Sequence, residues 1–498
     1  MTNPRLALAA GNVLSGQAAR DIKSAGGNAV DACIASSVMA WVAEPFMASM
    51  GGSGFLALRT PDGRVRVFDG NNTMPLALPS EPGQGLRRVY VPDYSNGMYT
   101  GIGGGSVAVP GILAALHAAW EEHGAIEWPA LFDPAIVAAR EGIPFPMTSG
   151  YYLSATWDYI WSPFAAARDL LQKDGRLFVE GDLFFQPQLA EALEIVASEG
   201  PESFYRGPLG LSIIEAIEAD GGFMTTSDLG GYRCEIRDPI ATDAFGWLVQ
   251  SNPPPAVGGA VLIHLLTLLE DADLLDPATR VRALIDAEKE AVSYRREQYE
   301  DPGEVAGAVE LALSSLRTRR ASASTTHTSS ADADGYVCSL TQSNGYSSGL
   351  IVNGIMLNNT LGEEELNPRG VHRLAPGSRC HSNMAPTIAA GPGITLGVGS
   401  PGADRITGAI AQTLIAVAVD GLGLAEAVAA PRVHLALREE GELLCYEPGM
   451  PVEGLEFPLR PYDDIHMFFG GVQAALVRDD GAVEAAHDPR RSGSTTLI

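Results

Sequence analysis

The sequence is poor in basic residues and has no long hydrophobic run. Lys and Arg number 33 against 60 Asp and Glu, which gives a formal net charge of -27 over 498 residues. A surface of this sign repels nucleic acid and anionic membranes, and this argues against both as partners. The longest apolar stretches are "ACIASSVMAWVA" and "ITGAIAQTLIAVAV". Both are shorter than the ~20 residues that a membrane-spanning helix requires, and both are typical of buried helices.

Cysteine is also scarce, and its spacing argues against a structural framework. Five cysteines, none of them in a CxxC pair, lie far apart at Cys33, Cys234, Cys338, Cys380 and Cys445. This pattern argues against disulfide cross-links and against a thiolate zinc site. The N-terminal segment has only a very short apolar run, which is a poor match to an export signal. We therefore expect a soluble, cytoplasmic protein.

Several catalytic motifs are missing as well. The nine histidines form no HExxH or His-x-x-x-His pair, so we expect no metal. No GxSxG segment is present, which argues against an α/β-hydrolase serine. The glycine-rich "GIGGGS" (101–106) lacks the lysine of a phosphate-binding loop and is interpreted as a turn. No cofactor is predicted.

Hydrophobic periodicity predicts both helices and strands. "GFLALRT" and "RVRVFDG" have strand character around the turn "PDG". "QPQLAEALEIVASEG", "VRALIDAEKEAVSYRREQYED" and "RITGAIAQTLIAVAVDG" have helical character. Strand formers become frequent after about residue 324. This arrangement indicates a layered α+β protein and not a βαβ array.

The boundary between these regions reads "ASASTTHTS" (321–329). If the peptide bond before Thr325 is cut, Thr325 gains an α-amine, which titrates near ~7.7–8.0 and can accept a proton from the hydroxyl of the same residue. The small residues before the cut let the backbone bend, and a strand after it would hold the new N-terminus rigidly. The same letters also suit an ordinary strand start with solvated hydroxyls.

Nine segments decide between these interpretations. They are "GGNAVDA" (26–32), "MGGSGF" (50–55), "PPPAVGG" (253–259), "TTH" (325–327), "LNN" (357–359), "MAPTI" (384–388), "GSPGADRI" (399–406), "APRVH" (430–434) and "DPR" (488–490). In this order they resemble segments of the γ-glutamyltranspeptidase family of N-terminal nucleophile hydrolases.

The resemblance implies a four-layer αββα sandwich with two stacked antiparallel sheets flanked by helices. It also implies a proenzyme that cuts its own Ser324–Thr325 bond. The products would be a large subunit, 1–324, and a small catalytic subunit, 325–498, in one intertwined structural domain. Thr325 would be the nucleophile both in self-cleavage and in catalysis.

Three further catalytic positions follow from the resemblance. Ser343 falls where the family has a threonine that hydrogen-bonds the nucleophile, and the exchange keeps the hydroxyl. Gly402 and Ala403 match a Gly-Gly pair whose backbone N–H groups form the oxyanion hole. One such donor is typically worth ~2.7–4 kcal/mol in the transition state.

The substrate-binding positions depart from the family. Asn71 replaces the arginine that binds the glutamyl α-carboxylate, and Glu363 replaces the aspartate that binds the α-amine. Ser382 and Asn383 stand where the family has a serine pair, and Asn344 lies near a family asparagine. Without its bidentate arginine a carboxylate loses its strongest fixed partner. We therefore expect an altered acyl pocket.

The sequence thus predicts a γ-glutamyltranspeptidase-like amidohydrolase or acyltransferase, acting on a small amide with water or an amine as acceptor. One alternative is the standard activity on glutathione-like compounds, in glutathione metabolism, with Glu363, Asn383, Arg379 or His381 supplying the lost contacts. Another is an unprocessed, non-catalytic scaffold. The identity of the acyl group and acceptor, the balance of hydrolysis and transfer, and assembly into a homo-oligomer stay open.

Overall fold

The polar run that begins at Thr325 forms a strand, Thr325–Asp332, and all eight of its residues are buried. Alternate side chains point to opposite faces, as the pleat of a strand requires. On one face the Ser329 hydroxyl donates to the Gln473 carbonyl at 3.1 Å. On the other the Ser330 hydroxyl donates to the Ala29 carbonyl at 2.7 Å. Hydrogen bonds of this kind are what allow polar side chains to occupy the middle of a fold.

The computed structural model describes residues 4–92, 94, 97–295, 325–438 and 441–498. Ser324, half of the predicted cleavage site, lies outside these residues. The strand from Thr325 belongs to a seven-stranded antiparallel sheet. In spatial order, its strands are Glu235–Arg237, Val65–Gly70, Ser53–Arg59, Val337–Ser343, Thr325–Asp332, Leu6–Ala10 and Ser494–Leu497.

A second, six-stranded antiparallel sheet lies against the first. Its strands, in spatial order, are Ile240–Ala244, Trp247–Ser251, Thr387–Gly391, Ile394–Gly399, Gln473–Arg478 and Val483–His487. The layer between the sheets contains an apolar cluster that includes Phe55, Ala57, Val67, Val337, Ile388, Ala475 and Val477. Both sheets contain strands from each side of residue 325, although the subunit limits themselves stay a prediction.

Helices cover the outer side of each sheet. Ala29–Ala43 packs on Thr325–Asp332, and Val257–Leu269 packs on Trp247–Ser251. The α-helices are Val13–Ser24, Ala29–Ala43, Ile112–His123, Asp133–Glu141, Met147–Thr156, Ala165–Leu171, Pro187–Glu199, Glu202–Tyr205, Pro208–Ala219, Thr226–Gly231, Val257–Leu269, Pro277–Arg295, Ile406–Ala418 and Leu424–Ala429. The predicted α+β class and four-layer αββα sandwich are confirmed.

The polar residues of "GGNAVDA" form the N-terminal cap of the helix Ala29–Ala43. The Asn28 side chain accepts hydrogen bonds from the Val30 and Asp31 N–H groups, and Asp31 accepts from the Asn28 N–H. This reciprocal cap satisfies N–H groups that the first helical turn leaves without partners. Every residue of the helix is buried, so the cap begins a helix that lies entirely inside the protein.

Short elements complete the described chain. Paired minor strands are Arg87–Val91 with Met98–Ile102, Ile143–Pro144 with Leu183–Phe184, Gln172–Lys173 with Arg176–Leu177, Ile351–Val352 with Ile355–Met356, and Val433–Arg438, Gly441–Tyr446 and Leu459–Pro461 together. The predicted helix "VRALIDAEKEAVSYRREQYED" is described as far as Arg295. None of the five cysteines, all of which the structure describes, forms a disulfide. Among the described helices, none combines the length and apolarity needed to cross a bilayer.

Candidate active site

Three hydroxyl side chains lie side by side at one end of the seven-stranded sheet. Thr325 is the cross-strand partner of Ser343, and Ser343 is the partner of Ser53 on its other side. The Thr325 hydroxyl donates to the Ser343 hydroxyl at 3.2 Å, and the Gly345 N–H donates to the same Ser343 oxygen at 3.1 Å. Sequence reasoning did not single out Ser53, although the segment "MGGSGF" that contains it carries part of the family resemblance.

These hydroxyls open into a pocket of about 430 Å³, a volume that includes open solvent at its mouth. We call it the acyl pocket. The structure brings Thr325 together there with most of the predicted substrate-binding residues. Its lining consists of Ser53, Asn71, Thr325, Ser343, Gly345, Thr360, Glu363, Glu365, Leu366, His381, Ser382, Asn383, Met384, Ala403 and Ile406.

Among the described residues predicted for catalysis or substrate binding, Gly402 and Asn344 are absent from this lining, as is Arg379 from the alternative. Gly402 lies directly before Ala403, which does line the pocket. Asn344 is fully buried behind the end of its strand, where its Nδ2 donates to the Ser347 hydroxyl at 3.4 Å. Its Oδ1 has no hydrogen-bond partner within the described part of the chain. The structure therefore gives Asn344 no direct path to a ligand in the acyl pocket.

The Gly402–Ala403 loop has an unusual backbone. Gly402 has φ +128°, and Ala403 has φ +53° at the start of the short 3-10 helix Ala403–Arg405. A Cβ on Gly402 would lie 3.2 Å from the Gly470 Cα, so both the dihedral angle and the space favour glycine. Neither N–H has an acceptor among the residues the structure describes. Two such free donors beside a nucleophile are what an oxyanion hole requires.

Ser382 and Asn383 are held in place by the start of the helix Val257–Leu269. The Ser382 carbonyl accepts hydrogen bonds from the Val257 and Gly258 N–H groups at 2.8 and 2.9 Å. A Cβ on Gly258 would lie 2.1 Å from the Asn383 carbonyl oxygen, so the close approach requires glycine. The segment "PPPAVGG" thus acts as a support for one wall of the acyl pocket.

Asn71 forms another part of the wall, and its side chain is engaged by protein. Its Nδ2 donates to the Cys380 carbonyl at 2.6 Å, and its Oδ1 accepts from the Asn72 N–H. Arg379 lies on the far side of Asn71, where its guanidinium donates to the Asn71 carbonyl at 2.8 Å and pairs with Asp69 and Glu235. Arg379 does not line the acyl pocket, so this structure gives no support to it as a replacement for the missing arginine.

Two glutamates make the pocket acidic. Glu363 is 4% exposed, and no donor among the described residues reaches its carboxyl group. Burial, and then the neighbouring Glu365, raise the pKa of Glu363 well above its usual value. Among the described residues that line the pocket none is Arg or Lys, and His381 is the one titratable base. None of the described lining residues therefore carries a fixed positive charge.

His327 lies on the same face of its strand as Thr325, two residues along. Its Nδ1 is 2.8 Å from the Thr341 hydroxyl and its Nε2 is 2.9 Å from the Ser329 hydroxyl, so both ring nitrogens are engaged. Burial lowers the pKa of His327 to about 3. The ring is therefore neutral at physiological pH, and it packs between the sheets, where a Cβ on Gly399 would clash with it. The geometry favours a structural role.

A second pocket adjoins the first and shares Ala403, Asn383 and Glu365 with it. Its wall is largely apolar and includes Val257, Val261, Leu265, Val292 and Leu437. Arg295 stands at the shared edge, where it donates to Asn383 Oδ1 at 2.9 Å and to the Glu365 carbonyl at 3.2 Å. Sequence reasoning missed Arg295, because only the tertiary fold brings the last turn of its helix to this edge.

His434 lies in the wall of the second pocket between two carboxylates. Its Nδ1 is 3.6 Å from Glu288 and its Nε2 is 3.7 Å from Asp404, the residue after Ala403. Burial alone would lower the pKa of His434, but Glu288 and Asp404 outweigh burial and raise the pKa to about 9. A charged His434 thus ties the Gly402–Ala403 loop to the helix Pro277–Arg295. In the described part of the chain, no cluster of three or more His, Cys, Asp or Glu side chains could hold a metal.

Comparison with known families and proteins supplies the wider setting. The sequence profile described as gamma-glutamyltranspeptidase matches residues 15–318 and 306–498. The chain is 31% identical over 532 residues to the acylase ACY 1 proenzyme of Pseudomonas sp. (strain SE83). This alignment covers 100% of this chain and 93% of the acylase. It is 28% identical over 522 residues to the glutathione hydrolase proenzyme of Escherichia coli (strain K12), covering 94% and 88%.

Among solved structures, a cephalosporin acylase from Bacillus halodurans has a TM-score of 0.78 to this fold at 23% identity. The match covers 100% of this chain and 96% of that chain. At this identity the likeness supports the fold, and the names of the glutathione hydrolase and the cephalosporin acylase indicate different substrates.

Proposed function

The chain belongs to the γ-glutamyltranspeptidase family, and on this premise we propose that it is a self-processing amidohydrolase or acyltransferase whose nucleophile is an N-terminal Thr325. One observation carries the proposal: Thr325 begins a buried strand, and its hydroxyl is hydrogen-bonded to Ser343 in the pocket that Ala403 also lines. The two relatives named as proenzymes support self-processing.

Self-processing begins with the Thr325 hydroxyl. Its oxygen attacks the Ser324 carbonyl carbon, the C–N bond to Thr325 breaks as the hydroxyl proton passes to the leaving nitrogen, and the two parts of the chain are joined for a time by an ester. Water then hydrolyses that ester, which leaves a carboxylate on Ser324 and a free α-amine on Thr325. The Ser343 hydroxyl positions the attacking oxygen by accepting its hydrogen bond.

Catalysis uses the same oxygen a second time. The new α-amine accepts the hydroxyl proton as Thr325 attacks the substrate amide carbon, and the Gly402 and Ala403 N–H groups stabilise the oxyanion. The amine then returns the proton to the leaving nitrogen as the C–N bond breaks. Water or an acceptor amine attacks the acyl-Thr325 ester, releases the acid or a new amide, and restores the enzyme.

His327 does not serve as the base in this scheme. Its two ring nitrogens are occupied by Thr341 and Ser329, and its depressed pKa leaves it a weak base at any pH where the enzyme would work. The α-amine sits on the nucleophilic residue itself and titrates near ~8 when unperturbed, so it is the better match to the task.

The acyl group is the point at which this chain departs from a standard γ-glutamyl enzyme. The likeness to a glutathione hydrolase proenzyme favours a γ-glutamyl group. Two features support a different acyl group: the resemblance aligns Asn71 with the family's arginine, and Arg379 donates to the Asn71 carbonyl and does not line the described pocket. We therefore place an altered acyl group ahead of the glutathione-like alternative.

Trapping the acyl-enzyme tests the nucleophile directly. The purified protein is mixed with an acyl 4-nitroanilide, and the reaction is quenched in acid. The protein is then digested, and the peptide masses are measured by mass spectrometry. We expect the acyl mass on the peptide that begins with Thr325. An acyl group on any other residue would overturn the assignment. A denaturing gel that shows one band near 52.3 kDa would instead favour the unprocessed scaffold.

A further inference from the structure

The Gly402–Ala403 loop has a backbone conformation that its surroundings must hold in place. Ala403 has φ +53°, in the left-handed region that a residue with a Cβ adopts only at a cost. Such a residue persists where contacts around it fix the backbone. Ala403 lines the acyl pocket together with Thr325, so a change in its backbone would redirect the N–H group that the proposed oxyanion hole requires. The contacts that fix this loop therefore matter for the reaction.

One anchor of the loop is Arg405. Its Nε donates to the Phe468 carbonyl at 2.9 Å, and its guanidinium carbon lies 4.8 Å from the centre of the Phe468 ring. Phe468 belongs to the short 3-10 helix Met467–Phe469. The residue after that helix, Gly470, is the one that a Cβ on Gly402 would approach at 3.2 Å. Arg405 and this helix thus support one side of the loop.

The second anchor is Asp404, the residue directly after Ala403. Its Oδ1 is 2.7 Å from Arg405 Nη1, and its Oδ2 is 3.7 Å from His434 Nε2. Burial alone would raise the pKa of Asp404, but Arg405 and His434 outweigh burial and lower the pKa well below its ordinary value. Asp404 is therefore a carboxylate, and each of its two oxygens faces a different basic side chain.

His434 connects this anchor to the body of the fold. It lies on the strand Val433–Arg438 and is 7% exposed. Its Nδ1 is 3.6 Å from Glu288, which belongs to the helix Pro277–Arg295. Its Nε2 is buried and has no hydrogen-bond partner within the described part of the chain, so Asp404 is the anion that this nitrogen faces. The imidazole ring thus stands between two carboxylates that belong to different elements.

The charge of His434 depends on the groups around it. The ionisable side chains that line a cavity together with His434 are Glu288, Arg295, Glu365, Asp404, Arg405 and Arg432. Its ion-pair partners are Glu288 and Asp404, and although burial alone would lower the pKa of His434, these two raise it to about 9. Phe468 contributes an uncharged ring at 6.0 Å. Loss of the proton would leave Asp404 without its tie to the helix.

Resting on the proposed function, we propose that His434 is a positioning residue, which holds Asp404 in place and thereby directs the Ala403 N–H group toward the oxyanion. His434 lines the second pocket and is absent from the described lining of the acyl pocket, so it acts on the reaction through the loop. Donors of an oxyanion hole act chiefly in the transition state. The loss of His434 should therefore lower kcat much more than it changes KM.

The pH dependence of kcat tests this with the self-processed protein and an acyl 4-nitroanilide. We expect kcat to fall by about tenfold or more as the pH rises through about 9, while KM changes by less than about twofold. In His434→Gln, kcat at pH 7 should already be about tenfold lower and should show no fall near pH 9. Circular dichroism at each pH confirms that the protein is still folded. A fall that persists unchanged in the variant would overturn the proposal.

Two further variants address the partners of His434. Glu288→Gln removes one of the two carboxylates that favour the proton, so the fall in kcat should move to lower pH. Asp404→Asn removes the contact with the loop and should lower kcat by about tenfold without a fall near pH 9. His117→Gln is the matched control, because His117 also pairs with a glutamate, Glu121, and lines neither pocket. An unchanged pH dependence in Glu288→Gln would contradict the proposal.

Hydrogen–deuterium exchange separates this inference from the proposed function. If the processed protein cleaves no anilide, the proposed function fails, and exchange of the amides in residues 399–406 still decides whether His434 holds the loop. We expect exchange there to be about tenfold faster in His434→Gln and Asp404→Asn than in wild type, and unchanged in His117→Gln. Equal exchange in wild type and His434→Gln would overturn the inference by itself. Cleavage with the same pH dependence in both proteins would do so as well and would leave the proposed function standing.

Discussion

Thr325 and Ser343 face each other across adjacent strands, and the Thr325 hydroxyl donates to the Ser343 hydroxyl at 3.2 Å. Because Ser343 is itself fixed by the Gly345 N–H, this hydrogen bond sets the direction in which the nucleophilic oxygen points. The two residues therefore provide the most sensitive position at which to test the site.

Replacement of Ser343 should slow both reactions of Thr325. One neutral hydrogen bond contributes a net ~0.5–1.5 kcal/mol, so Ser343→Ala should lower kcat by roughly two- to tenfold and delay self-cleavage to a similar degree. Ser343→Thr keeps the hydroxyl and should restore both rates. Denaturing gels of samples quenched at successive times measure self-cleavage, and steady-state kinetics measure kcat. Loss of one rate without the other would argue against a shared nucleophile.

The proposed oxyanion loop, Gly402–Ala403, gives a contrasting pair of variants. Gly402→Ala places a side chain at φ +128° and 3.2 Å from the Gly470 Cα, so it should lower stability by ~1–3 kcal/mol and kcat by about tenfold or more.

Ala403→Gly keeps the N–H and relieves a left-handed alanine at φ +53°. It should change stability by less than ~1 kcal/mol and should lower kcat less than Gly402→Ala does. Urea unfolding and kinetics on both variants check this. A larger catalytic loss in Ala403→Gly would contradict the assigned loop.

Stability should depend on the protonation of His434. Its folded pKa of about 9 lies above the unfolded value of 6.5, so the contribution is fully present below pH 6.5 and is lost as the pH rises through about 9. This shift corresponds to a loss on the order of 3 kcal/mol in the free energy of unfolding. Urea unfolding between pH 6 and 9.5 measures it.

His434→Gln provides the comparison for that experiment. The variant should be less stable at pH 7 and should lose much less stability between pH 7 and 9.5. NMR titration of the His434 ring in the wild-type protein gives the pKa even where the variant folds poorly. A ring that titrates near 6.5 would refute the assignment.

The identity of the base can be examined through His327. We expect the acid limb of kcat/KM to follow the Thr325 α-amine near ~8 and to keep its position in His327→Gln, although the variant loses two hydrogen bonds and stability. If the acid limb disappeared in the variant, His327 and not the amine would be the base.

The sequence predicted the layered fold and most of the candidate site. The helix Pro187–Glu199 and the strand Ser53–Arg59 follow from periodicity alone. The strand Thr325–Asp332 does not, because "TTHTSSAD" has hardly an apolar residue and is buried on both faces. Its position in the fold was predicted only from the family segments and their order. Its buried hydroxyl groups are hydrogen-bonded to elements remote in sequence, and such contacts leave no pattern in the sequence.

Contacts between residues that are distant in the chain could not be predicted from the sequence, because they form only in the folded protein. Ser53 joins the hydroxyl row through strand register, and Arg295 meets Asn383 from the end of a helix 88 positions away. Neither contact leaves a periodic signal. The position of Arg379 behind Asn71 likewise depends on Asp69 and Glu235, whose pairing with it requires the folded chain.

The intact masses of active wild-type protein and of Thr325→Ala, measured together with their activity, test the central claim most directly. The account predicts wild-type chains of 324 and 174 residues (498 − 324), the second beginning at Thr325, and an inactive, uncut 498-residue variant. Active protein in which residue 325 is still joined to residue 324 would contradict it.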